Sequence, residues 1–269
     1  MHAFDYHRPS SVAEAAQILS QKPEASLLAG GQTLIPTLKQ RLAAPSEVID
    51  LREISDLRKI EKSGSNIVVG ATATHAQVAG NADVRREIPA LAQLAGGIGD
   101  PQVRHAGTLA GSIANNDPAA DYPAAILGLG ATVVTDKRKI DADDFFTGLF
   151  STALEPGEII TEVRFPIPSK SGYAKFEQRA SRYALVGVFV SQSSGMFSTS
   201  VRAAVTGAGA DGVFRSQALE QALKSNWSGD AVRDIKVSAD ALLSDLHASA
   251  EYRAALIPVM AERAVTGTA

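Results

Sequence analysis

Two short stretches place glycine, amides and small polar side chains where a ligand could meet them. Ala29-Gly-Gly-Gln-Thr-Leu-Ile-Pro36 follows a strand pattern and enters a helical one. Gly30 and Gly31 can therefore take positive φ and aim successive backbone N–H groups at an anion. The helix N-terminus adds its dipole, and with no Lys or Arg in the loop the main chain must do the neutralising. The second stretch, Thr108-Leu-Ala-Gly-Ser-Ile-Ala-Asn-Asn-Asp-Pro-Ala-Ala-Asp-Tyr-Pro123, has too few large side chains for a buried strand or an amphipathic helix. Asn115, Asn116, Asp117, Pro118 and Pro123 favour turns, so it reads as a polar loop. Ser112, Asn115 and Asp121 can bond hydroxyls, while Asp117 before Pro118 suits an Asx-turn. Either stretch alone also suits an ordinary turn. Together they read as a cradle for a pyrophosphate, and an adenine dinucleotide with polyol character fits both.

Three further features carry weaker signals. Gly207-Ala-Gly-Ala-Asp-Gly212 matches the dinucleotide fingerprint G-x-G-x-x-G, but Asp211 to Arg215 separate it from the next helix cap, Ser216. It reads as a tight turn. Lys175 lies on a predicted strand and can reach a cofactor held by the first domain, or remain a solvated lysine. His75 can bond a cofactor or merely finish a strand turn.

Composition narrows the function. The net charge of −3, with 45% hydrophobic and 20% charged residues, leaves no basic footprint for nucleic acid. No window is apolar enough for a membrane span and the N-terminus has no apolar signal region, so a cytoplasmic location is expected. Zero cysteines exclude disulfides, thiolate catalysis and any iron–sulfur cluster held by this chain's own thiols. Five histidines show no metal-ligand spacing, so redox chemistry here requires an organic cofactor.

The elements that must position these residues read as α+β, in two regions. Ser11-Val-Ala-Glu14 is a capping box opening a helix through Leu19. Strands are predicted at Ser26 to Ala29, Val48 to Leu51, Ile67 to Ala71, Ala131 to Thr135 and Ile159 to Phe165. Helices are predicted at Thr33 to Gln40, Pro89 to Ala95 and Pro123 to Leu129. Pro166 to Gly172 has linker composition and marks the domain boundary. Beyond it, Tyr173 to Gln178, Leu185 to Ser191 and Val201 to Thr206 predict a three-stranded meander. Helices follow at Ser216 to Lys224, Asp230 to Leu243 and Ser249 to Ala264. The last should be kinked at Pro258, with Tyr252, Leu256, Val259, Met260 and Arg263 on one face.

Ala29 to Pro36, Val69-Gly-Ala-Thr-Ala-Thr-His75, Asp100-Pro-Gln-Val-Arg104, Gly107-Thr-Leu-Ala-Gly-Ser112 and Asn115 to Pro123 together resemble the FAD-binding medium subunits of the molybdenum hydroxylases. The carbon monoxide dehydrogenase branch is especially similar. The resemblance runs from Phe4-Asp-Tyr-His-Arg-Pro9 to Asp245-Leu-His-Ala-Ser-Ala-Glu-Tyr-Arg253, essentially the whole chain. It implies an α+β fold. A two-lobed FAD-binding domain of the vanillyl-alcohol-oxidase (PCMH) type spans residues 1–168, and a domain like the carbon monoxide dehydrogenase flavoprotein C-terminal domain spans residues 173–269. Carried over by position, Leu28, Ala29, Gly30, Gly31, Gln32, Thr33, Leu34 and Ile35 wrap the pyrophosphate. Thr108, Leu109, Ala110, Gly111 and Ser112 oppose them. Ile98 and Ile160 match apolar contact positions, Asp121 a cofactor-binding aspartate and Lys175 a flavin-side lysine. Ala110 stands where many relatives carry a second glycine, so a methyl must fit close to the phosphates.

The resemblance also implies partners and a task. In such enzymes a large molybdopterin-binding subunit hydroxylates the substrate and a small subunit relays electrons through 2Fe-2S clusters. The flavin subunit hands them to NAD+, a quinone or oxygen, within a heterotrimer or its dimer. No side chain of this chain need act as a catalytic acid, base or nucleophile. A self-contained FAD-dependent oxidoreductase of the same fold is the alternative.

Overall fold

The computed structural model describes residues 1–195 and 199–268. Four sheets are built in succession. Asp5–His7, Glu47–Asp50 and Ser26–Leu28 form a small parallel sheet with Glu47–Asp50 in the middle. A five-stranded antiparallel sheet follows in the order Ile60–Ser63, Asn66–Gly70, Ile160–Pro166, Thr132–Thr135, Lys139–Asp141. Between Gly70 and Thr132 the chain leaves this sheet for a run of short helices, from His75–Gly80 to Tyr122–Leu129. Phe146–Gly148 and Ser151–Thr152 make a small hairpin. The last sheet is an antiparallel meander of Lys170–Glu177, Ala184–Ser194 and Thr199–Thr206, to which the short Phe214–Arg215 adds a fourth strand that the sequence pattern did not reveal. The fold is mixed α and β, with no helix among the described residues long and apolar enough to cross a membrane.

The meander is apolar on both faces, which explains the unbroken run Ala184-Leu-Val-Gly-Val-Phe-Val190. Val186, Val188 and Val190 pack with Ile257, Met260, Ala261 and Ala264 of the helix Ala250–Thr266. Tyr173, Phe189 and Ala204, on the opposite face, join the core of the N-terminal region. The helix Tyr122–Leu129 sits against that face and is buried at every residue, as a helix apolar all round must be. Gly128 permits its approach, since a Cβ there would lie 2.7 Å from the Phe189 ring.

Local expectations fail where distant segments intervene. Ser11 accepts the Glu14 N–H at 3.2 Å, but the Glu14 carboxylate returns to the Ser10 N–H rather than to Ser11, so the box is displaced by one residue. The linker shrinks to residues 167–169 because Pro166 ends one strand and Lys170, Ser171 and Gly172 begin the next. The helix predicted for Asp230 to Leu243 covers only Gly229–Arg233. Further on, Leu243 N–H bonds Ala208 O at 2.8 Å and Ala210 N–H bonds Ala241 O at 2.9 Å, so that backbone pairs across space instead of along a helix. In the last helix the buried face is Arg253, Ile257, Met260, Ala261 and Ala264, while Tyr252 and Val259 are exposed. The helix continues through Pro258 from Ala250 to Thr266.

Candidate functional site

The first glycine loop leaves the strand Ser26–Leu28 and enters the helix Leu34–Lys39. Gly31 takes φ +70°, but Gly30 is needed for another reason. A Cβ on Gly30 would collide with the Ala106 carbonyl oxygen and lie 2.6 Å from Gly107 Cα, so two loops touch there backbone to backbone. Among the described residues, the N–H groups of Gly30, Gly31, Gln32, Thr33 and Leu34 donate to no main-chain acceptor. The first bond of the helix runs from Ile35 N–H to Gly31 O at 3.1 Å, and Thr33 makes no side-chain cap. Five consecutive donors without a main-chain acceptor, set around a turn, are free to receive an anion.

The facing stretch is a helix, Leu109–Asn115, and not the polar loop its composition suggests. Thr108 caps it by accepting the Gly111 N–H at 3.1 Å, and a Cβ on Gly111 would lie 2.8 Å from that hydroxyl. Small residues therefore mark a capped helix start that lies against a wall. Ala110 is buried in that wall, its methyl accommodated, and its N–H donates to no main-chain acceptor among the described residues. The helix ends at Asn116, which takes φ +44° and donates its amide to Gly148 O and Ser151 O, each at 2.8 Å. Asp117 Oδ1 then accepts the Ala119 N–H at 2.9 Å, the Asx-turn that Asp117-Pro118 predicts.

Asp121, Tyr173 and Lys175 form a buried cluster between the two regions. Tyr173 Oη donates to Asp121 Oδ1 at 2.5 Å, and Lys175 Nζ lies 2.9 Å from the same oxygen. Lys175 also donates to Gly97 O at 2.9 Å and Arg182 O at 2.7 Å. Burial raises the Asp121 carboxyl above the usual carboxylate range, against the pull of Lys175 and Tyr173. His75 donates its main-chain N–H to Gly107 O at 2.9 Å, and its ring lies directly under Gly107. Burial, aided by the charge of Arg104, lowers its imidazole to about 4, so it is neutral at pH 7. Its Nδ1 is buried without a partner.

These elements enclose one cavity of about 520 Å³, a size typical of ligand pockets. Leu28 to Leu34, His75, Ile98, Thr108, Ala110, Gly111, Ser112, Asn115, Asp121 and Ile160 line it. Three expected residues do not. Leu109 is fully buried in the core, Ile35 packs with Leu28 and Leu38, and Lys175 stands behind the wall, holding Asp121. Sequence reasoning missed Glu158, which precedes the strand Ile160–Pro166, and the turn Ser181, Arg182 and Tyr183, which the meander carries to the cavity; none of them has a motif. Burial drives the Glu158 carboxyl upward, but hydrogen bonds from Arg138, the Glu155 N–H and Thr135 outweigh it and hold it at about 2. The unpaired N–H row and the Gly30 contact fit the diphosphate of a dinucleotide; the carboxylates of Asp121 and Glu158 are already engaged by protein donors.

Residues 2–168 match the family described as the FAD-binding domain in molybdopterin dehydrogenase. The chain is 35% identical to the nicotine 6-hydroxylase medium subunit of Paenarthrobacter nicotinovorans, over 98% of this chain and 96% of that protein. It is also 35% identical to the carbon monoxide dehydrogenase medium chain of Afipia carboxidovorans, with the same coverage. Among solved structures, reconstituted CO dehydrogenase from Oligotropha carboxidovorans superposes with a TM-score of 0.88 at 32% identity, over 98% of this chain and 96% of that one. Quinoline 2-oxidoreductase from Pseudomonas putida 86 does so with a TM-score of 0.87 at 30% identity and the same coverage. The chain therefore belongs to the FAD-binding medium subunits of the molybdenum hydroxylases, which are oxidoreductases assembled from several subunits.

Proposed function

We propose that this chain holds FAD in the cavity between the Leu28–Ile35 loop and the Thr108–Ser112 helix start, and serves as the electron-transfer subunit of its complex. The observation that carries this reading is the row of five unpaired N–H groups at residues 30–34, opposite a second glycine-bearing wall. When bound, FAD supplies the redox chemistry that links the 2Fe-2S clusters of a small partner subunit to a terminal acceptor, NAD+, a quinone or oxygen. The residues of this chain bind and orient. The 30–34 amides neutralise the diphosphate, Ile98 and Ile160 cover apolar surface, and Asn115 and Ser112 offer hydrogen bonds to hydroxyls. Lys175 acts through Asp121, keeping its carboxylate satisfied at the cavity wall. The large molybdopterin-binding subunit holds the substrate, in a cytoplasmic heterotrimer or a dimer of heterotrimers. Residues 1–168 and 173–269 form the two domains.

Two measurements test the proposal. The purified full-length chain should bind FAD in a one-to-one ratio, read by absorbance and quenching of flavin fluorescence, and Gly30→Val should abolish binding. Affinity capture from the source cells should recover a cysteine-rich small subunit and a large molybdopterin protein. Recovery of an active lone polypeptide would instead identify a self-contained oxidoreductase.

A further inference from the structure

The segment Asp245 to Arg253 plays no part in lining the cavity, yet it is wired to it. Arg253 is 3% exposed. Its Nη1 donates to Leu185 O at 2.8 Å and Gly207 O at 2.5 Å, and its Nη2 donates to both Asp245 carboxylate oxygens at 2.8 Å. Leu185 lies at the start of the strand Ala184–Ser194, and Gly207 directly follows the strand Thr199–Thr206. On the far side, the same strand ends donate in the opposite direction. Gly207 N–H bonds Pro118 O at 2.8 Å and Ala184 N–H bonds Ala119 O at 3.2 Å. Thr206, fully buried, donates its hydroxyl to Ala120 O at 2.6 Å and Pro118 O at 3.2 Å. Residues 118–120 run directly into Asp121 and out of Asp117, and Asp117, Ala120 and Asp121 all line the cavity.

We propose that Arg253 is a positioning residue for FAD: it fixes the paired ends of two meander strands, which grip residues 118–120 and so set the Asp117–Asp121 wall of the cavity. The pattern favours this over simple helix anchoring. Arg253 directs one arm at two carbonyls whose residues, or immediate neighbours, hold the wall, and Asp245 fixes the other arm. Glycine at 207 is what allows the convergence, because it takes φ +80° and a Cβ there would lie 2.8 Å from Leu185 O. No other residue type would let both carbonyls meet one guanidinium. The C-terminal helix thereby steadies one wall of a cavity lined by the N-terminal region and by the turn at residues 181–183.

The inference rests on FAD occupying this cavity. The test uses the full-length chain, titrated with FAD, and reads both the dissociation constant and the visible circular dichroism of the bound flavin. Thr206→Val removes the side-chain part of the grip, the hydroxyl bonds to Ala120 O and Pro118 O, while keeping shape, and should weaken FAD about tenfold, the loss expected for one buried hydrogen bond and a displaced wall. Arg253→Met should weaken it as much or more and alter the dichroism in the same sense, with Arg253→Lys recovering part of both. Combining Thr206→Val with Arg253→Met should give less than the product of the single effects, because the two act on one wall. If Arg253→Met fails to fold, Asp245→Asn replaces it in the cycle, with a smaller weakening of about threefold. FAD affinity and dichroism equal to the parent in Thr206→Val and in the arginine variant would overturn the proposal. Gly30→Val separates the two levels: if it also binds FAD normally, the cavity assignment falls, whereas its loss of binding beside a normal Thr206→Val refutes the clamp alone.

Discussion

Two glycine segments follow strands in this protein, and the one with the better fingerprint is the one that does not line the cavity. Gly207 to Gly212 fits G-x-G-x-x-G, yet its free donors are interrupted by ones spent within the fold: Gly207 N–H goes to Pro118 O, Ala210 N–H to Ala241 O and Gly212 N–H to Gly209 O, so no continuous row is left. No helix begins until Gln217. Ala29 to Pro36 has a poorer pattern, but residues 30–34 keep their N–H groups free and open onto the cavity. Glycine spacing permits a main-chain anion site. Whether one exists depends on which carbonyls the rest of the fold brings within reach.

The sharpest way to break this contrast is at Gly30. Gly30→Val pushes the loop away from Ala106 and Gly107 and should reduce FAD affinity at least about a thousandfold, measured by flavin titration. Retained binding would mean the close approach of the loops is incidental. Next in size is Lys175→Met, which strands the buried Asp121 carboxylate and should cost about 3–4 kcal/mol of stability in urea unfolding. Adding Asp121→Asn should restore much of it; a double variant as unstable as the single one would show that the pair is not the source.

His75 offers a gentler test. Its folded pKa, about 4, lies below its ordinary value of 6.5. Between those values the unfolded chain binds the extra proton, so stability is full above pH 6.5 and falls as pH drops toward 4. The loss should reach about 2–3 kcal/mol, and His75→Gln should flatten the curve in this window. Because His75 lies under Gly107, hydrogen exchange should rise in residues 106–112 before it rises in 207–212. An unchanged slope in the variant would assign the acid sensitivity elsewhere. The smallest effect is at Gly212, which takes φ +102° and where a Cβ would meet only the Gly148 carbonyl, its oxygen at 3.8 Å. Gly212→Ala should lower stability by about 1 kcal/mol and leave FAD affinity within about twofold, since only conformational strain is added. A large loss of FAD would erase the distinction between the two segments.

Much of the site was legible because its determinants are local. The helix cap at Ser11, the Asx-turn at Asp117 and the strand-to-helix glycine loop each need only neighbours a few residues away. The helix Leu109–Asn115 was not legible, because Ala, Gly and Ser carry no amphipathic stripe and its burial comes from packing in the cavity wall. Asp230 to Leu243 misled for the opposite reason. Its helical pattern is real, but Ala241 and Leu243 find backbone partners in the 208–210 turn. Lys175 was expected beside the flavin by resemblance, while its contact with Asp121, Gly97 and Arg182 depends on two regions meeting. Tyr183 and Arg182 had no signal at all, since a turn between strands joins a cavity only when the sheet points it there.

The sequence alone bounded the chemistry: no cysteine leaves no thiol chemistry, and two glycine-bearing segments point to a dinucleotide. Its motifs also determined the family. Tertiary structure decided which donors stay free, which carboxylates are satisfied and which distant residue steadies the wall. Hydrogen-bond capacity is written into each residue, but whether it is spent depends on partners tens of residues away.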